Sequence, residues 1–395
     1  MKTNLPCTAV LSTALLAGCA GSSSVPVPET YRVYLGSLAK PGQGAGIYMS
    51  LLDMKTGQLS RPVHVSETAG TGFLAIHPDG RHLYSTGANG SSGGTNTGSV
   101  HAFTLVEPEG TLSNINTRIS GGMLACHVSI DPAGRNLLVA NYLGGNCAVL
   151  PIERDGSLAP ISSLQQHTGS SIHPQRQTAA FTHSINCDPS GHFAIVADLG
   201  IDKIMIYRFD AAGGILTPND PPFIATEPGG GPRHFTFHPS GKFAYADLEL
   251  SNKAVAFEYD AKWGVLTEIQ SLSTLPDGFT GSSTASEIQT TPDGRFLYVA
   301  NRGHNSIACF AIDPATGRLT PLGYEPVRGE NPRNFNIDPT GTFLIAVNAK
   351  PGRAVVFRIN RETGLLEFTG SEVEVPNPGC VRFLAAPVSG ASSAQ

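Results

Sequence analysis

A turn-and-strand unit recurs along almost the whole chain of 395 residues. In its clearest copy, Pro292-Asp-Gly294 is followed by the apolar run 296–300. Proline presets φ and glycine tolerates positive φ, so the triplet predicts a tight turn, and the aromatic and β-branched run predicts a strand. A second unit, Gly-x-Leu, alternates with the first. The prolines of the first unit are Pro78, Pro132, Pro189, Pro239, Pro292 and Pro339, and the glycines of the second are Gly57, Gly110, Gly156, Gly214, Gly264, Gly317 and Gly364.

A period of about 50 residues that consists only of strands and turns is typical of a β-propeller. Seven Gly-x-Leu copies predict an all-β fold of seven blades, each with four antiparallel strands. The run 31–36 has no first strand before it, and residues 378–383 have the pattern of such a strand. We therefore expect the N-terminal and C-terminal strands to pair and close the ring, which removes an open sheet edge.

The composition agrees with one large β domain. Lys and Arg number 26 and Asp and Glu 31, for a net charge of −5, which argues against a nucleic-acid surface. The length alone allows two or three domains, but the unbroken repeat predicts a single propeller over residues 31–387. Within it, the Gly/Ser/Thr-rich stretch 87–99 is predicted to be a mobile loop, and residues 388–395 are predicted to be a disordered tail.

The first 19 residues predict a targeting segment. Lys2 precedes an apolar stretch at 9–17, and Leu16-Ala17-Gly18-Cys19 resembles the lipobox of bacterial lipoproteins. We expect residues 1–19 to be a lipoprotein signal with Cys19 as the lipidated residue, and residues 20–30 to be a flexible tether. The expected location is the periplasmic side of the cell envelope, with the membrane contacted only through this anchor; a cleaved secretory signal and a secreted protein are the alternative.

Hairpin geometry places both kinds of turn on one face of the propeller. The first strands then begin, and the second strands end, on the opposite face. Aligning the first strands predicts a ring of side chains at the mouth of the central channel, with His183 one residue out of register. The ring consists of Phe73, His127, His183, His234, Glu287, Asn334 and Cys380.

Cations gather around the same mouth. Arg233 and Arg333 precede two ring positions, Arg302 and His304 follow a second strand, and Arg176 lies in the insertion 160–181. This clustering in an acidic protein predicts that the mouth binds a small anion.

Several features of the ring allow other interpretations. A channel histidine is often only a hydrogen-bonded lining residue. Three histidines and Glu287 could hold a metal ion, but they come from four blades without short ligand spacing, so we expect no metal and no cofactor. Asn141 and Asp198 end second strands and could contact the ligand, although Asx turns suffice to explain them. The five cysteines of the propeller are expected to be small buried residues: Cys126, Cys147, Cys187, Cys309 and Cys380.

Eight short motifs occur in a fixed order along residues 31–383: His127-Val-Ser129, Thr182-His-Ser184, Asp198-Leu-Gly200, the run 217–222, Gly231-Pro-Arg-His234, Gly278-Phe-Thr-Gly281, Ala285-Ser-Glu-Ile288 and Asn301-Arg-Gly-His304. Together they resemble the seven-bladed lactonase family, whose best-known activity is that of the propeller-type 6-phosphogluconolactonase; carboxymuconate cyclases form a related branch. The chain departs from the family pattern at Gln175, Phe181 and Asn334, where the family usually has Glu, His and His.

The resemblance implies hydrolysis of a sugar-acid lactone by a monomer. Glu287 is the first candidate for the general base, with His183 or His234 as alternatives. Arg302 and His304 are candidates for stabilising the oxyanion. The remaining candidates would hold the anionic lactone: His127, Arg176, Arg233, Arg333, Asn334, Asn141 and Asp198. The predicted envelope location favours an unphosphorylated or differently charged lactone. The alternatives are a non-catalytic ligand- or protein-binding propeller and a carboxymuconate-type lactone cyclase.

Overall fold

The computed structural model describes Met1 and residues 28–92 and 95–387. In this part of the chain 28 strands form seven four-stranded antiparallel sheets, which confirms the predicted seven-bladed propeller. No helix within the described ranges is long and apolar enough to cross a membrane. The predicted signal with Cys19, most of the tether and the predicted tail lie outside the described residues.

Blade 1 contains both ends of the propeller, as the sequence predicts. Its strands are β1 (Thr30–Ser37), β2 (Gly46–Asp53), β3 (Val63–Ser66) and β28 (Pro378–Ala385). Strand β28 pairs antiparallel with β1, and Leu35 lies opposite Val381. The last strand of the chain therefore occupies the innermost place in the first blade and closes the ring.

The other six blades each use four consecutive strands. Blade 2 contains β4 (Leu74–Ile76), β5 (His82–Ser92), β6 (Thr95–Val106) and β7 (Thr111–Ile119). Blade 3 contains β8 (Ala125–Ile130), β9 (Asn136–Asn141), β10 (Asn146–Pro151) and β11 (Ser163–Gln166). Blade 4 contains β12 (Thr182–Cys187), β13 (Phe193–Asp198), β14 (Lys203–Asp210) and β15 (Ile215–Ala225).

Blades 5 to 7 follow the same order. Blade 5 contains β16 (Pro232–Phe237), β17 (Phe243–Leu248), β18 (Lys253–Asp260) and β19 (Val265–Ser273). Blade 6 contains β20 (Thr284–Thr290), β21 (Phe296–Arg302), β22 (Ser306–Ile312) and β23 (Leu319–Pro326). Blade 7 contains β24 (Glu330–Ile337), β25 (Phe343–Lys350), β26 (Arg353–Ile359) and β27 (Leu366–Glu374). The innermost strands β28, β4, β8, β12, β16, β20 and β24 contact one another in a closed ring.

The Gly-x-Leu turns dock each blade onto its neighbour. The buried hydroxyl of Tyr245 in β17 donates to the carbonyl of Gly317 in the next blade at 3.0 Å. Gly317 has φ of +68°, and a Cβ at this position would overlap the ring of Phe243. Only glycine fits both demands. The same bond recurs from Tyr34 to Gly110, from Tyr84 to Gly156 and from Tyr298 to Gly364.

The prediction of a loop at 87–99 is wrong. Strands β5 and β6 continue through most of it as a long hairpin, with Gly87 opposite Ser99 and Gly90 opposite Thr97. A ladder of backbone hydrogen bonds needs no apolar alternation where the hairpin extends beyond the core, so the sequence pattern gave no sign of it.

Irregularities in the innermost strands place the functional side chains. Strands β8, β12, β16, β20 and β24 each carry a β-bulge near their start. In β12, for example, Thr182 pairs with Asp198 and Ser184 with Ala197, so His183 is the extra residue. A bulge changes the direction of a side chain relative to a regular strand. The extra residues in β8, β12 and β24 are Cys126, His183 and Arg333, and in β16 both Arg233 and His234 lie opposite Asp247.

Candidate active site

A cavity of about 420 Å³ opens where the innermost strands begin. We call it the front cavity. Its volume lies within the usual range for small-molecule sites. The charged and histidine side chains that line it are Arg176, His183, Arg233, His234, Glu249, Arg302 and Arg333.

The β-bulges separate two layers of the predicted ring. Cys126, His183, Arg233 and Arg333, which lie at the bulges, all line the front cavity. His127 and Glu287 instead line a second cavity of about 210 Å³ behind it, the rear cavity. Asn334 lies behind the front cavity as well, hydrogen-bonded to Glu287. His234 lines both cavities.

One carboxylate, Glu249, links three of the arginines. Its Oε1 lies 2.5 Å from Nη2 of Arg176, and its Oε2 lies 3.0 Å from Nε of Arg233 and 2.9 Å from Nη2 of Arg302. Burial by itself would raise the pKa of Glu249, but the three guanidinium groups outweigh it and hold the pKa at about 2. Glu249 is therefore ionised at neutral pH and holds the three arginines in place.

Glu249 could not be named from the motifs that we recognised in the sequence. It lies two residues after Asp247 of β17, and the equivalent positions after β9, β13, β21 and β25 have Leu143, Gly200, Gly303 and Lys350. A single carboxylate at that repeat position was a signal that comparison of the blades could have found.

Arg333 is the arginine without a counter-charge. Within residues 28–92 and 95–387, no carboxylate lies at ion-pair distance from it. Burial, together with the nearby Arg233 and Arg302, lowers the pKa of Arg333 to about 10, so it is still a cation at neutral pH. Four arginines against one ionised glutamate leave the front cavity strongly positive, which favours an anionic ligand.

His183 is buried in the wall of the front cavity with part of its hydrogen-bonding capacity unused. Its Nδ1 has no hydrogen-bond partner among the described residues. The rings of Tyr142 and His234 each lie 5.3 Å away, edge to face. Burial first, and then the charge of Arg233, lowers the pKa of His183 well below its ordinary value. The imidazole is therefore neutral at pH 7, the form in which it can accept a proton.

Aromatic rings separate the two cavities. The ring of Phe73 lies 4.3 Å from that of His127 and 5.7 Å from that of His234, and the two imidazoles are 5.5 Å apart. Together these three side chains fill the channel between the front and rear cavities.

Glu287 lies behind this plug with its hydrogen bonds made. Its Oε2 lies 3.1 Å from Nδ1 of His234 and accepts a bond from Nδ2 of Asn334, and its Oε1 accepts the backbone N–H of Ile288 at 3.2 Å. Burial raises the pKa of Glu287 to about 7. Glu287 does not line the front cavity, so it is not placed to act directly on a ligand there.

His234 connects the layers through its two ring nitrogens. Nη1 of Arg233 lies 3.2 Å from Nε2 of His234, and an arginine only donates, so Nε2 is the acceptor. The proton is then on Nδ1, which faces Glu287. Burial, and then Arg233, lowers the pKa of His234 well below its ordinary value, so the ring is neutral.

Besides Asn334, three predicted site residues line neither cavity. His304 packs edge to face against Phe279 at 4.8 Å and Tyr324 at 5.9 Å, and its Nδ1 bonds to Oγ of Ser306 at 2.6 Å. The other two are buried and hydrogen-bonded to neighbouring residues. Asn141 donates to the Ser120 carbonyl and Oδ1 of Asn146, and Asp198 accepts from His167, Thr182 and the backbone of Phe181 and Gly200.

The departures from the family pattern keep local contacts. Phe181 stacks on Tyr142 with ring centroids 5.1 Å apart, and Tyr142 lines the front cavity. Asn334 spans its layer: its Nδ2 donates to Glu287 and its Oδ1 accepts from the backbone of Val381 at 3.1 Å. Gln175 contributes only a backbone contact, to Nδ1 of His173 at 3.3 Å.

The cavity cysteine is not a nucleophile. Burial raises the pKa of the Cys126 thiol to about 12, so it is protonated at neutral pH. All five cysteines of the described chain are free thiols; Cys147, Cys309 and Cys380 are buried, and Cys126 and Cys187 are partly buried.

Comparison with known proteins agrees with this fold. The family model of the seven-bladed β-propeller lactonases matches residues 32–383. The chain is 39% identical to 6-phosphogluconolactonase of Bacillus subtilis over 90% of this chain and 98% of that protein, and 33% identical to that of Formosa agariphila over 87% and 96%. The periplasmic gluconolactonase of Pseudomonas aeruginosa superimposes with a TM-score of 0.84 at 34% identity, over 91% of this chain and 100% of that chain.

Proposed function

The chain belongs to the seven-bladed β-propeller lactonase family and is a lactonase, and we propose that it hydrolyses an anionic sugar-acid lactone, 6-phosphogluconolactone, in the front cavity. One observation carries the proposal. The cationic front cavity contains an arginine without a counter-charge, Arg333, and a neutral histidine with an unpartnered nitrogen, His183. These are the two groups that hydrolysis of an anionic lactone requires: a cation for the substrate and a base for water.

His183 is the general base of the proposed mechanism. It is neutral at pH 7 and lines the cavity, and neither of its ring nitrogens is hydrogen-bonded to another described residue. Water attacks the lactone carbonyl carbon while the imidazole takes the proton from that water. Glu287, the first choice from the sequence, becomes a positioning residue, because it holds the Nδ1–H of His234 and thereby directs Nε2 of His234 toward Arg233.

Two different arginines bind the two negative charges of the reaction, the phosphate of the substrate and the oxyanion. Arg333 binds the phosphate, since it has no carboxylate of its own to hold. Arg302 stabilises the oxyanion of the tetrahedral intermediate, because Glu249 fixes it beside the base. When the intermediate collapses, the ring C–O bond breaks, the leaving oxygen takes the proton from His183, and the product acid ionises to a carboxylate.

Hydrolysis rates on 6-phosphogluconolactone and gluconolactone test whether the substrate is the phosphorylated lactone. We expect 6-phosphogluconolactone to be preferred over gluconolactone by at least about 10-fold in kcat/KM, because hydrogen bonds to charged groups contribute about 1.5–3 kcal/mol each. Arg333→Met should abolish the preference. Arg382→Met is the matched control, because Arg382 lies over the Phe73 ring beside the rear cavity, and it should retain the preference. A preference that survives Arg333→Met contradicts the phosphate assignment, and no hydrolysis of either lactone favours a binding propeller or a cyclase.

A second candidate substrate is unphosphorylated gluconolactone. The likeness to a periplasmic gluconolactonase favours it, and so does the predicted envelope location, which we propose is reached through lipidation of Cys19. Equal hydrolysis rates on the two lactones would support this candidate. Activity that is found in the membrane fraction for the wild type, and in the soluble fraction for Cys19→Ala, would support it as well.

All of the residues assigned above come from one chain, so we propose that the monomer is active.

A further inference from the structure

A second cluster of reactive side chains lies on the turn face of the propeller, away from the front cavity. It is formed by the first Pro-x-Gly turn, His77-Pro-Asp-Gly-Arg-His82. One ring nitrogen of His77, a carboxylate oxygen of Asp79 and one ring nitrogen of His82 all lie within 4.8 Å of one another. We call these three residues the turn cluster. Their side chains are 15%, 22% and 11% exposed, so ions in solution can reach them.

The propeller repeat supplies an internal control for this cluster. The turn at His238 also begins with histidine, and Nε2 bonds to a carbonyl of the next blade in both turns: His77 to Gly134 at 2.7 Å and His238 to Gly294 at 2.9 Å. Docking onto the next blade therefore accounts for the first histidine. It does not account for Asp79 and His82, because the control turn has Ser240 and Phe243 in their places.

The other copies of the repeat strengthen the contrast. At the position of His82, four further turns have phenylalanine and one has asparagine: Phe193, Phe243, Phe296, Phe343 and Asn136. The side chain at this position packs on the glycine of the next blade's Gly-x-Leu turn, His82 on Gly156 as Phe243 on Gly317. Phenylalanine makes this contact in four copies, so the contact does not require an imidazole.

The protons in the turn cluster leave a place for a cation. Nε2 of His77 donates to the Gly134 carbonyl, so Nδ1 of the same ring carries a lone pair. This Nδ1 lies 3.0 Å from Oδ1 of Asp79. Two acceptors face each other unless a second proton or a cation lies between them. In the control turn the corresponding neighbour is the hydroxyl of Ser240, 2.8 Å from Nδ1 of His238, which can donate. The turn backbone N–H reaches Nδ1 in both turns, at 3.2 and 3.1 Å, and so does not distinguish them.

We propose that the turn cluster binds one late first-row divalent metal ion, of which zinc is the representative. Two imidazole nitrogens and a carboxylate oxygen suit such ions, and water fills the remaining positions. The bond from His77 to Gly134 is the outer-shell contact that usually fixes the tautomer of a metal-bound histidine. Binding displaces the proton that joins Nδ1 of His82 to Oδ2 of Asp79 at 2.8 Å, and the neutral ring then carries its proton on Nε2.

Zinc titration of the chelator-treated protein by calorimetry tests the site. We expect one ion per chain, with His82→Phe and Asp79→Ser each weakening binding at least about 30-fold. Both variants introduce residues that other copies of the turn already have, so they should fold, and near-native melting temperatures without metal confirm it. The rival explanation is a second proton on His77, and it predicts no saturable binding near neutral pH.

Two further measurements keep the zinc experiment decisive. The chain has 12 histidines, so weak surface binding is expected everywhere, and only the difference between the wild type and His82→Phe counts. In the reverse experiment, Ser240→Asp with Phe243→His builds the same cluster on the control turn and should add a second ion. Equal zinc binding by the wild type, His82→Phe and Asp79→Ser overturns the proposal. Lactone hydrolysis by Asp79→Ser should equal that of the wild type, because the cluster is on the other face.

Discussion

The front and rear cavities differ sharply in chemistry although a single step along the innermost strands separates them. Arg333 at a bulge lines the front cavity, and Asn334, the next residue, bonds to Glu287 behind it. In front, Arg333 has no carboxylate at ion-pair distance and Nδ1 of His183 has no hydrogen-bond partner among the described residues. Behind the plug, Glu287 accepts hydrogen bonds from Asn334 and the backbone of Ile288 and lies 3.1 Å from Nδ1 of His234. A side chain whose bonds are all made holds its neighbours in place, whereas one without partners is available to a ligand.

The largest expected effect comes from replacing one histidine in each layer and comparing the two variants. His183→Asn removes the proposed base and should lower kcat about 100-fold or more, the usual contribution of a positioned base. His127→Asn, the matched change behind the plug, should lower kcat by no more than about 5-fold. The measurement is the initial rate of lactone hydrolysis at saturating substrate.

Melting temperatures of the two histidine variants serve as the control, because both side chains are buried. If the ranking is reversed, with His127→Asn losing more activity than His183→Asn at equal stability, the front cavity is not where the chemistry takes place.

Glu287→Gln is expected to have the next largest effect. It changes the pH dependence of stability strongly and kcat only weakly. Glu287 has a pKa of about 7 in the folded protein and 4.5 as its unperturbed value, so the folded state holds the proton more tightly. Its favourable contribution is complete below pH 4.5 and is lost as the pH rises through 7. Relative to Glu287→Gln, the wild type should therefore lose about 3 kcal/mol of unfolding free energy between pH 4.5 and pH 8.

Denaturant melts of both proteins across this pH range measure the difference directly. Because Glu287 acts only through His234, kcat of Glu287→Gln should fall by no more than about 10-fold. A loss of 100-fold or more would restore Glu287 as the general base, as the sequence first indicated. Parallel stability curves for the two proteins would contradict the raised pKa.

His304→Ala should have the smallest effect. Its ring packs against Phe279 and Tyr324 outside both cavities, so kcat and KM should each change by less than about 3-fold. Arg302→Met is the comparison, because Arg302 is the last residue of β21, two residues before His304, and lines the front cavity. Similar losses in the two variants would place the oxyanion contact on this loop as a whole and not on Arg302.

Much of the fold could be predicted because the repeat is written in short-range signals. Pro292-Asp-Gly294 and its copies define the blades, and the unpaired run 31–36 indicated the closure with β28. The ring residues could also be named, since one register aligns all blades. The two layers could not be predicted, because a bulge is set by pairing across strands and His183 showed it only as an offset of one residue. Glu249 was missed because its role comes from three arginines distant in sequence.

If the substrate binds in the front cavity, a crystal structure with the product 6-phosphogluconate should show it there. We expect electron density for the product in front of the aromatic plug, with the phosphate against Arg333 and the new carboxylate between Arg302 and His183. Density in the rear cavity beside Glu287 and Arg382, with the front cavity unchanged, would contradict it.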